Sequence, residues 1–155
     1  MKIVVITVSD RAFRSEYPDQ SGPEIKKLID NSEVEAEVSL ILVPDEGPEI
    51  RKAITQNIGV DYILTTGGTG LSPRDITPQI SREICDLEIP GISEMLRWES
   101  YRETRFAVLS RGFSGIKDKT IVINFPGSLK AVQLATRLML PLFEHGTKMV
   151  HGEGH

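Results

Sequence analysis

Cys85 is the only cysteine in 155 residues. That excludes a disulfide within the chain and any metal site built from several thiolates. Its place in a helical segment reads as packing rather than as a nucleophile. Charge of one sign is also missing. The chain has 18 Lys and Arg against 22 Asp and Glu, a formal net charge of −4, so no global basic field exists to hold nucleic acid. A polyanionic ligand must be held locally, by backbone amides, a few arginines or a metal ion. No uninterrupted apolar run approaches the ~20 residues of a membrane-spanning helix. The short run at the start is followed by Ser9-Asp10-Arg11, where a signal peptide would carry small residues and a cleavage site. The chain therefore reads as cytoplasmic, with neither membrane nor nucleic acid as a partner. Repeats, low-complexity stretches and linkers are absent too. Residues 1–150 read as one domain, able to bury roughly two thirds of its unfolded surface, and 151–155 as a flexible tail.

What is present is alternation. "KIVVITV" (2–8) is a nearly continuous β-branched run, as expected of a strand buried on both faces. Ser21-Gly22-Pro23-Glu24 opens a helix, with Ser21 as its cap and Ile25, Leu28 and Ile29 at helical spacing. A second strand follows at 37–43, a second helix at 47–58 with a proline near its first turn, and a third strand at 61–66. Helices are expected at 77–86, 91–102 and 128–144, and one more buried strand at 119–125. Strands separated by helices of about a dozen residues predict βαβ units. The fold class is α/β, with a mostly parallel sheet covered on both faces.

In such a sheet, ligands bind beyond the carboxyl ends of the strands. The loops leaving those ends are "SDRAFRSEYPDQSG" (9–22), "PDEG" (44–47), "GGTGLSPRD" (67–75) and "PGS" (126–128). They gather polar chemistry on one rim. Glycines at 67, 68 and 70 permit positive φ and let an anion approach the backbone N–H groups. Thr69 adds a hydroxyl, and Arg74 can bind phosphate oxygens in bidentate fashion. Asp75 would repel a phosphate unless a divalent cation sat between them, which points to Mg²⁺. The segment is neither a P-loop nor a dinucleotide fingerprint. On its own it equally suits a tight structural turn, with Arg74 and Asp75 a solvated pair at the start of the helix.

Five stretches in order, "VSDRA" (8–12), "VPDE" (43–46), "TTGGTGLSPRDITPQ" (65–79), "IPG" (89–91) and "NFPGSLKA" (124–131), resemble the molybdenum-cofactor biosynthesis family of MogA and MoaB. The gephyrin G domain is related to the same family. The resemblance spans nearly the whole chain and implies a three-layer αβα domain. It implies a molybdopterin adenylyltransferase, which uses Mg-ATP to place AMP on the terminal phosphate of molybdopterin and releases pyrophosphate. By the same resemblance Asp45 and Asp75 are the catalytic and Mg²⁺-binding carboxylates. Gly67, Gly68, Thr69, Gly70, Ser72 and Arg74 line the nucleotide and phosphate site. Ser9, Asp10, Arg11, Asn124, Pro126, Gly127 and Ser128 border the pterin and phosphate region. Phe125 and Leu129 depart from the family pattern, which has Leu and Pro there. A homotrimer or hexamer is implied, with a molybdenum insertase as a further partner.

Other features read more plainly. His145, His151 and His155 are widely spaced, the last two in the tail. Arg97, Arg102, Arg105 and Arg111 interleave with Glu94, Glu99 and Glu103 as a solvent or subunit face. Trp98 and Met95 read as packing. Two alternatives stay open: a non-catalytic MoaB-type binding or assembly protein, and a related domain of the MoeA insertase or CinA type.

Overall fold

The computed structural model describes residues 1–153. One sheet holds β1 (Lys2–Val8), β2 (Glu37–Val43), β3 (Tyr62–Thr66), β4 (Leu87–Glu88), β5 (Ser114–Lys117) and β6 (Thr120–Phe125), in the order β2-β1-β3-β6-β5-β4. β1, β2, β3 and β6 run parallel, with Val5 opposite both Leu40 and Leu64, and Leu64 opposite Ile123. β5 and β4 extend the far edge antiparallel. The expected three-layer α/β class is found.

The β-branched runs dictate the layers. Successive strand side chains point to opposite faces. In β1, Ile3 and Val5 enter one core cluster, while Val4, Ile6 and Val8 enter the other. On the first face lie α2 (Ser21–Asp30), α5 (Pro90–Glu103), α6 (Leu129–Met139) and α7 (Phe143–Val150), through Ile25, Leu96, Val132 and Phe143. On the second lie α3 (Gly47–Thr55) and α4 (Thr77–Ile84), through Ile50, Ile54, Ile80 and Ile84. Burying both faces at about 25 cal/mol per Å² of apolar surface holds the four parallel strands rigid, and with them the loops at their ends. Among the described residues, no helix is long and apolar enough to cross a membrane.

The differences from expectation have local causes. The helix expected over 128–144 is interrupted by a 3-10 turn at Leu140–Leu142, where Pro141 brings no N–H. The hairpin of β5 and β6 turns at Asp118 (φ 53°) and Lys119, without the Asn-Gly that usually marks such a turn. Ser21 does not cap α2. Asp19 Oδ1 accepts from the N–H groups of Ser21 and Gly22 at 3.1 and 3.2 Å, while the Ser21 hydroxyl donates to the Gly127 carbonyl at 3.0 Å. Met95 packs against the core, but Trp98 is 64% exposed. After α7, His151 N–H donates to the Thr147 carbonyl at 3.2 Å. His155 and the end of the expected tail lie outside the described residues.

Candidate active site

The carboxyl ends of β1, β2, β3 and β6 share one rim. After β1 the chain turns at once into α1 (Asp10–Phe13), capped by Ser9, whose Oγ accepts from Ala12 N–H at 3.2 Å. Asp10 and Asp45 clasp each other's backbones. Asp45 N–H donates to Asp10 Oδ1 at 2.9 Å, and Asp10 N–H donates to Asp45 Oδ2 at 2.8 Å. Arg74 reaches over from the third loop. Its Nε donates to Asp10 Oδ2 at 2.9 Å, and its Nη2 to the Asp45 carbonyl and Glu46 Oε1 at 3.1 and 3.3 Å. Three loops are thereby tied together. Arg11 points elsewhere, stacked 4.8 Å over the Tyr17 ring and 3.7 Å from Glu16.

This clasp moves the two carboxyls in opposite directions. Burial pushes Asp45 above the ordinary carboxylate range; the charges of Asp10 and Asp75 add to the rise, against the Asp10 N–H bond and Arg74. Burial also pulls on Asp10, but the Asp45 N–H and the Arg74 guanidinium outweigh it and hold Asp10 below that range. Folding thus makes a negative charge costlier at Asp45 than in an exposed carboxylate and cheaper at Asp10.

The glycine turn is built from the inside. Gly67 and Gly68 have φ 98° and 65°. A Cβ on Gly67 would strike the Val8 carbonyl, and one on Gly68 would strike Thr77 Oγ1. These glycines are required first by the turn, because their missing side chains would point into protein rather than toward a ligand. The N–H groups of Gly67, Gly68, Thr69 and Gly70 nevertheless donate to no group among the described residues. That leaves a run of free donors of the kind that cradles an anion. The turn closes on Asp75: Ser72 N–H donates to its Oδ2 and its own N–H to the Ser72 carbonyl, both at 2.9 Å. Asp45 and Asp75 flank the loop. The Cβ positions of Gly68 and Gly70 lie 3.6 Å from Asp45 Oδ1 and 2.9 Å from Asp75 Oδ2.

The end of β6 braces the turn. Asn124 is buried, its Nδ2 donating to Thr65 Oγ1 and Ser81 Oγ at 2.9 Å and its Oδ1 accepting from Phe113 N–H at 3.2 Å. Its side chain staples β3, α4 and β6 together. The Pro126 carbonyl accepts from Thr66 Oγ1 at 2.8 Å, and Gly127 presses on Gly67, where a Cβ would stand 3.2 Å from the Gly67 Cα. Ser128 caps α6 through Ala131 N–H at 3.3 Å and keeps an extended backbone (φ −81°, ψ 144°) with Leu129 following it.

Two residues here carry roles the sequence reading gave to a surface. Arg111 donates from Nε to the Gly70 carbonyl at 2.7 Å and from Nη2 to the Asp75 carbonyl, while its N–H donates to the Thr69 carbonyl at 2.9 Å. It pins the Asp75 loop from behind. Arg97 donates to the Gly112 carbonyl at 2.8 Å. Nothing in the Arg/Glu interleaving distinguishes these two from Arg102, which does pair with Glu99 at 3.4 Å on the surface. Two cavities open beside the turn. One of about 420 Å³ is lined by Thr69, Gly70, Leu96, Arg97, Phe106 and Pro126. The other, of about 220 Å³, is lined by Ser9, Tyr17, Asp19, Ser21, Gly67 and Gly127. The glycine turn contributes to the walls of both cavities.

Residues 4–145 match the family model described as "Probable molybdopterin binding domain". The molybdenum cofactor synthesis protein cinnamon of Drosophila melanogaster is 36% identical over 94% of this chain, which spans only 25% of that larger protein. A molybdopterin adenylyltransferase of Haemophilus influenzae is 35% identical, covering 86% of this chain and 70% of its own length. The crystal structure of the molybdopterin biosynthesis enzyme MoaB from Thermus thermophilus superposes with a TM-score of 0.88 at 39% identity, over 99% of this chain and 98% of that one. With its sheet order, its rim of loops and nearly its whole length accounted for, the chain belongs to the molybdenum-cofactor biosynthesis family of MogA and MoaB.

Proposed function

We propose that this protein is a molybdopterin adenylyltransferase, transferring AMP from Mg-ATP to the terminal phosphate of molybdopterin with release of pyrophosphate. The observation that carries this reading is the placement of Asp45 and Asp75 on either side of four free backbone N–H groups. A binding module for a phosphorylated pterin needs the amides; it does not need two carboxylates beside them. The name of the Haemophilus influenzae relative supports the same activity.

The residues suit a magnesium ion. Among the described residues, no donor reaches Asp45 Oδ1 or Asp75 Oδ1, since the bonds to these side chains fall on Oδ2. Nor do three or more His, Cys, Asp and Glu side chains converge there. One or two carboxylates completed by phosphate oxygens is the usual magnesium arrangement. Asp45 and Asp75 would hold the ion, and when bound it would supply countercharge to the triphosphate.

The chain does the rest by position. The amides of Gly67, Gly68, Thr69 and Gly70 donate to nonbridging oxygens. Arg74 is exposed and can exchange Glu46 for a phosphate while Asp10 keeps it in place. An anionic oxygen of the molybdopterin phosphate attacks the α-phosphorus of ATP. A new P–O bond forms, the bond from the α-phosphorus to its bridging oxygen breaks, and the electron pair leaves on pyrophosphate. No proton moves, so no general base is required. Orientation and charge stabilisation carry the acceleration.

The same reading takes residues 1–150 as the catalytic domain of a cytoplasmic protein that passes its product to a molybdenum insertase. It also takes the chain as a homotrimer or hexamer. Trp98 and Phe106 are 64% and 80% exposed, and Trp98 stacks on Tyr101 with centroids 6.1 Å apart, an apolar surface suited to a subunit contact. Light scattering that reports a monomer at micromolar concentration removes the assembly. Pyrophosphate release is the test of the activity. A protein that binds molybdopterin yet releases none from Mg-ATP is a non-catalytic binder, and the reading fails.

A further inference from the structure

Thr77 opens α4 directly beneath the glycine turn. It is 0% exposed, and its Oγ1 has no hydrogen-bond partner among the described residues. Its backbone N–H donates to the Gly68 carbonyl at 3.2 Å. Threonines deeper in helices solve this problem locally. Thr55 and Thr136 donate to the carbonyls of Arg51 and Val132, four residues back, at 2.9 and 2.7 Å. As the first residue of its helix, Thr77 has no helical carbonyl behind it. A buried hydroxyl without a partner is rare and destabilising.

The surroundings supply a reason for keeping it. The side chain that Gly68 lacks would begin at a point that collides with Thr77 Oγ1 and lies 3.6 Å from Asp45 Oδ1. Hydroxyl and carboxylate oxygen thus both border the volume of a single absent carbon. Among the described residues Asp45 Oδ1 also has no donor, although Oδ2 is held by Asp10 N–H at 2.8 Å. An unused donor and an unused acceptor thus border the same gap, at a residue without a side chain.

We propose that Thr77 is a positioning residue for adenylyl transfer: when the rim closes on nucleotide, its hydroxyl donates to Asp45 Oδ1 across the gap left by Gly68 and fixes the rotation of that carboxylate. A carboxylate oxygen has lone pairs enough to accept this bond and still face a ligand. Held at Oδ2 by Asp10 and at Oδ1 by Thr77, Asp45 has one orientation. The inference rests on the adenylyltransferase reading.

Two variants test it. Thr77→Val keeps the shape and removes the hydroxyl; Thr77→Ser keeps the hydroxyl. In the ligand-free protein, Thr77→Val should melt about 2–4 °C above the parent, because a partnerless buried hydroxyl is gone. Its kcat should nevertheless fall about tenfold or more, as for loss of a hydrogen bond to a charged group, with KM for ATP changed by less than about twofold. Thr77→Ser should restore most of the rate. A Thr77→Val protein as fast as the parent overturns the proposal, as does one that melts lower, or a Thr77→Ser as slow as the valine variant. A parent that transfers no AMP removes the adenylyltransferase reading and this proposal together. An active parent with an equally active valine variant removes the proposal alone.

Discussion

Arg111→Met isolates the contact that holds Asp75 in place. The parent guanidinium donates to the Gly70 carbonyl at 2.7 Å and to the Asp75 carbonyl, so one side chain fixes both ends of the turn. Methionine keeps much of the aliphatic stem and loses both donors. A hydrogen bond from a charged donor contributes about 1.5–3 kcal/mol when its acceptor would otherwise be buried unsatisfied. Arg111 is half-buried at a rim, so water can reach the freed carbonyls, and the two bonds together should be worth about 2–3 kcal/mol rather than the full sum. For a domain of this size that is a fall in melting temperature of about 5–10 °C. Native-state hydrogen exchange should localise the loosening to 69–75, and AMP transfer should drop along with it. Arg102→Met is the control, since its bond to Glu99 is an exposed pair expected to contribute little. Equal melting temperatures for the Arg111 variant and the parent, with unchanged exchange at 69–75, would refute the assignment of Arg111 as the pin.

Two further outcomes follow from the same geometry. Gly68→Ala forces a Cβ into the left-handed region and against Thr77 Oγ1, so it should destabilise the fold by about 1–2 kcal/mol or more; a variant as stable as the parent would mean that the turn tolerates a side chain. Asp45 and Asp10 should respond to neutralisation with opposite signs. Asp45 sits above the ordinary carboxylate range, so folding favours its protonated form, and the associated stability is lost as pH rises through the raised value. Asp45→Asn, whose amide oxygen can still accept from Asp10 N–H, should therefore melt above the metal-free parent at neutral pH, with the gap closing in acid. Asp10 sits below that range, so its charge stabilises the fold at neutral pH and the gain is lost as pH falls through the lowered value. Asp10→Asn should melt below the parent at neutral pH and converge with it in acid. Thermal melts across pH that move both variants in the same direction would contradict the clasp.

The layers were legible because burial on both faces leaves a mark that needs no partner. "KIVVITV" has no polar alternation to read any other way, and β1 spans Lys2–Val8 as expected. β4 was not legible, since two residues carry no periodicity, and β5 was hidden by a hairpin turn at Asp118-Lys119 in place of the usual glycine. In the site, the rim loops and Asp75 beside the glycine turn were readable from their positions after strands, whereas Asp45 was singled out only by the family resemblance. The reason for the glycines was only half readable. Freedom in φ belongs to the sequence, whereas the collisions with Val8 and Thr77 belong to packing. Arg111 and Asp19 act through contacts distant in the chain or around a cap. Arg111 looked like any member of an Arg/Glu series, because what distinguishes it is the carbonyls it meets.

The central claim is that Asp75 serves transfer rather than mere binding, and single-turnover transfer from α-phosphate-labelled ATP to molybdopterin tests it most directly. The parent should form labelled product and release pyrophosphate, with a rate that rises with Mg²⁺ and saturates. Asp75→Asn keeps the acceptor for Ser72 N–H, which the parent Oδ2 holds at 2.9 Å, but lacks the charge. Its rate should fall by about two orders of magnitude, as for loss of a preorganised charge from a transition state, while molybdopterin still binds. Transfer by the Asp75→Asn variant at the parent rate under limiting Mg²⁺ would contradict the account.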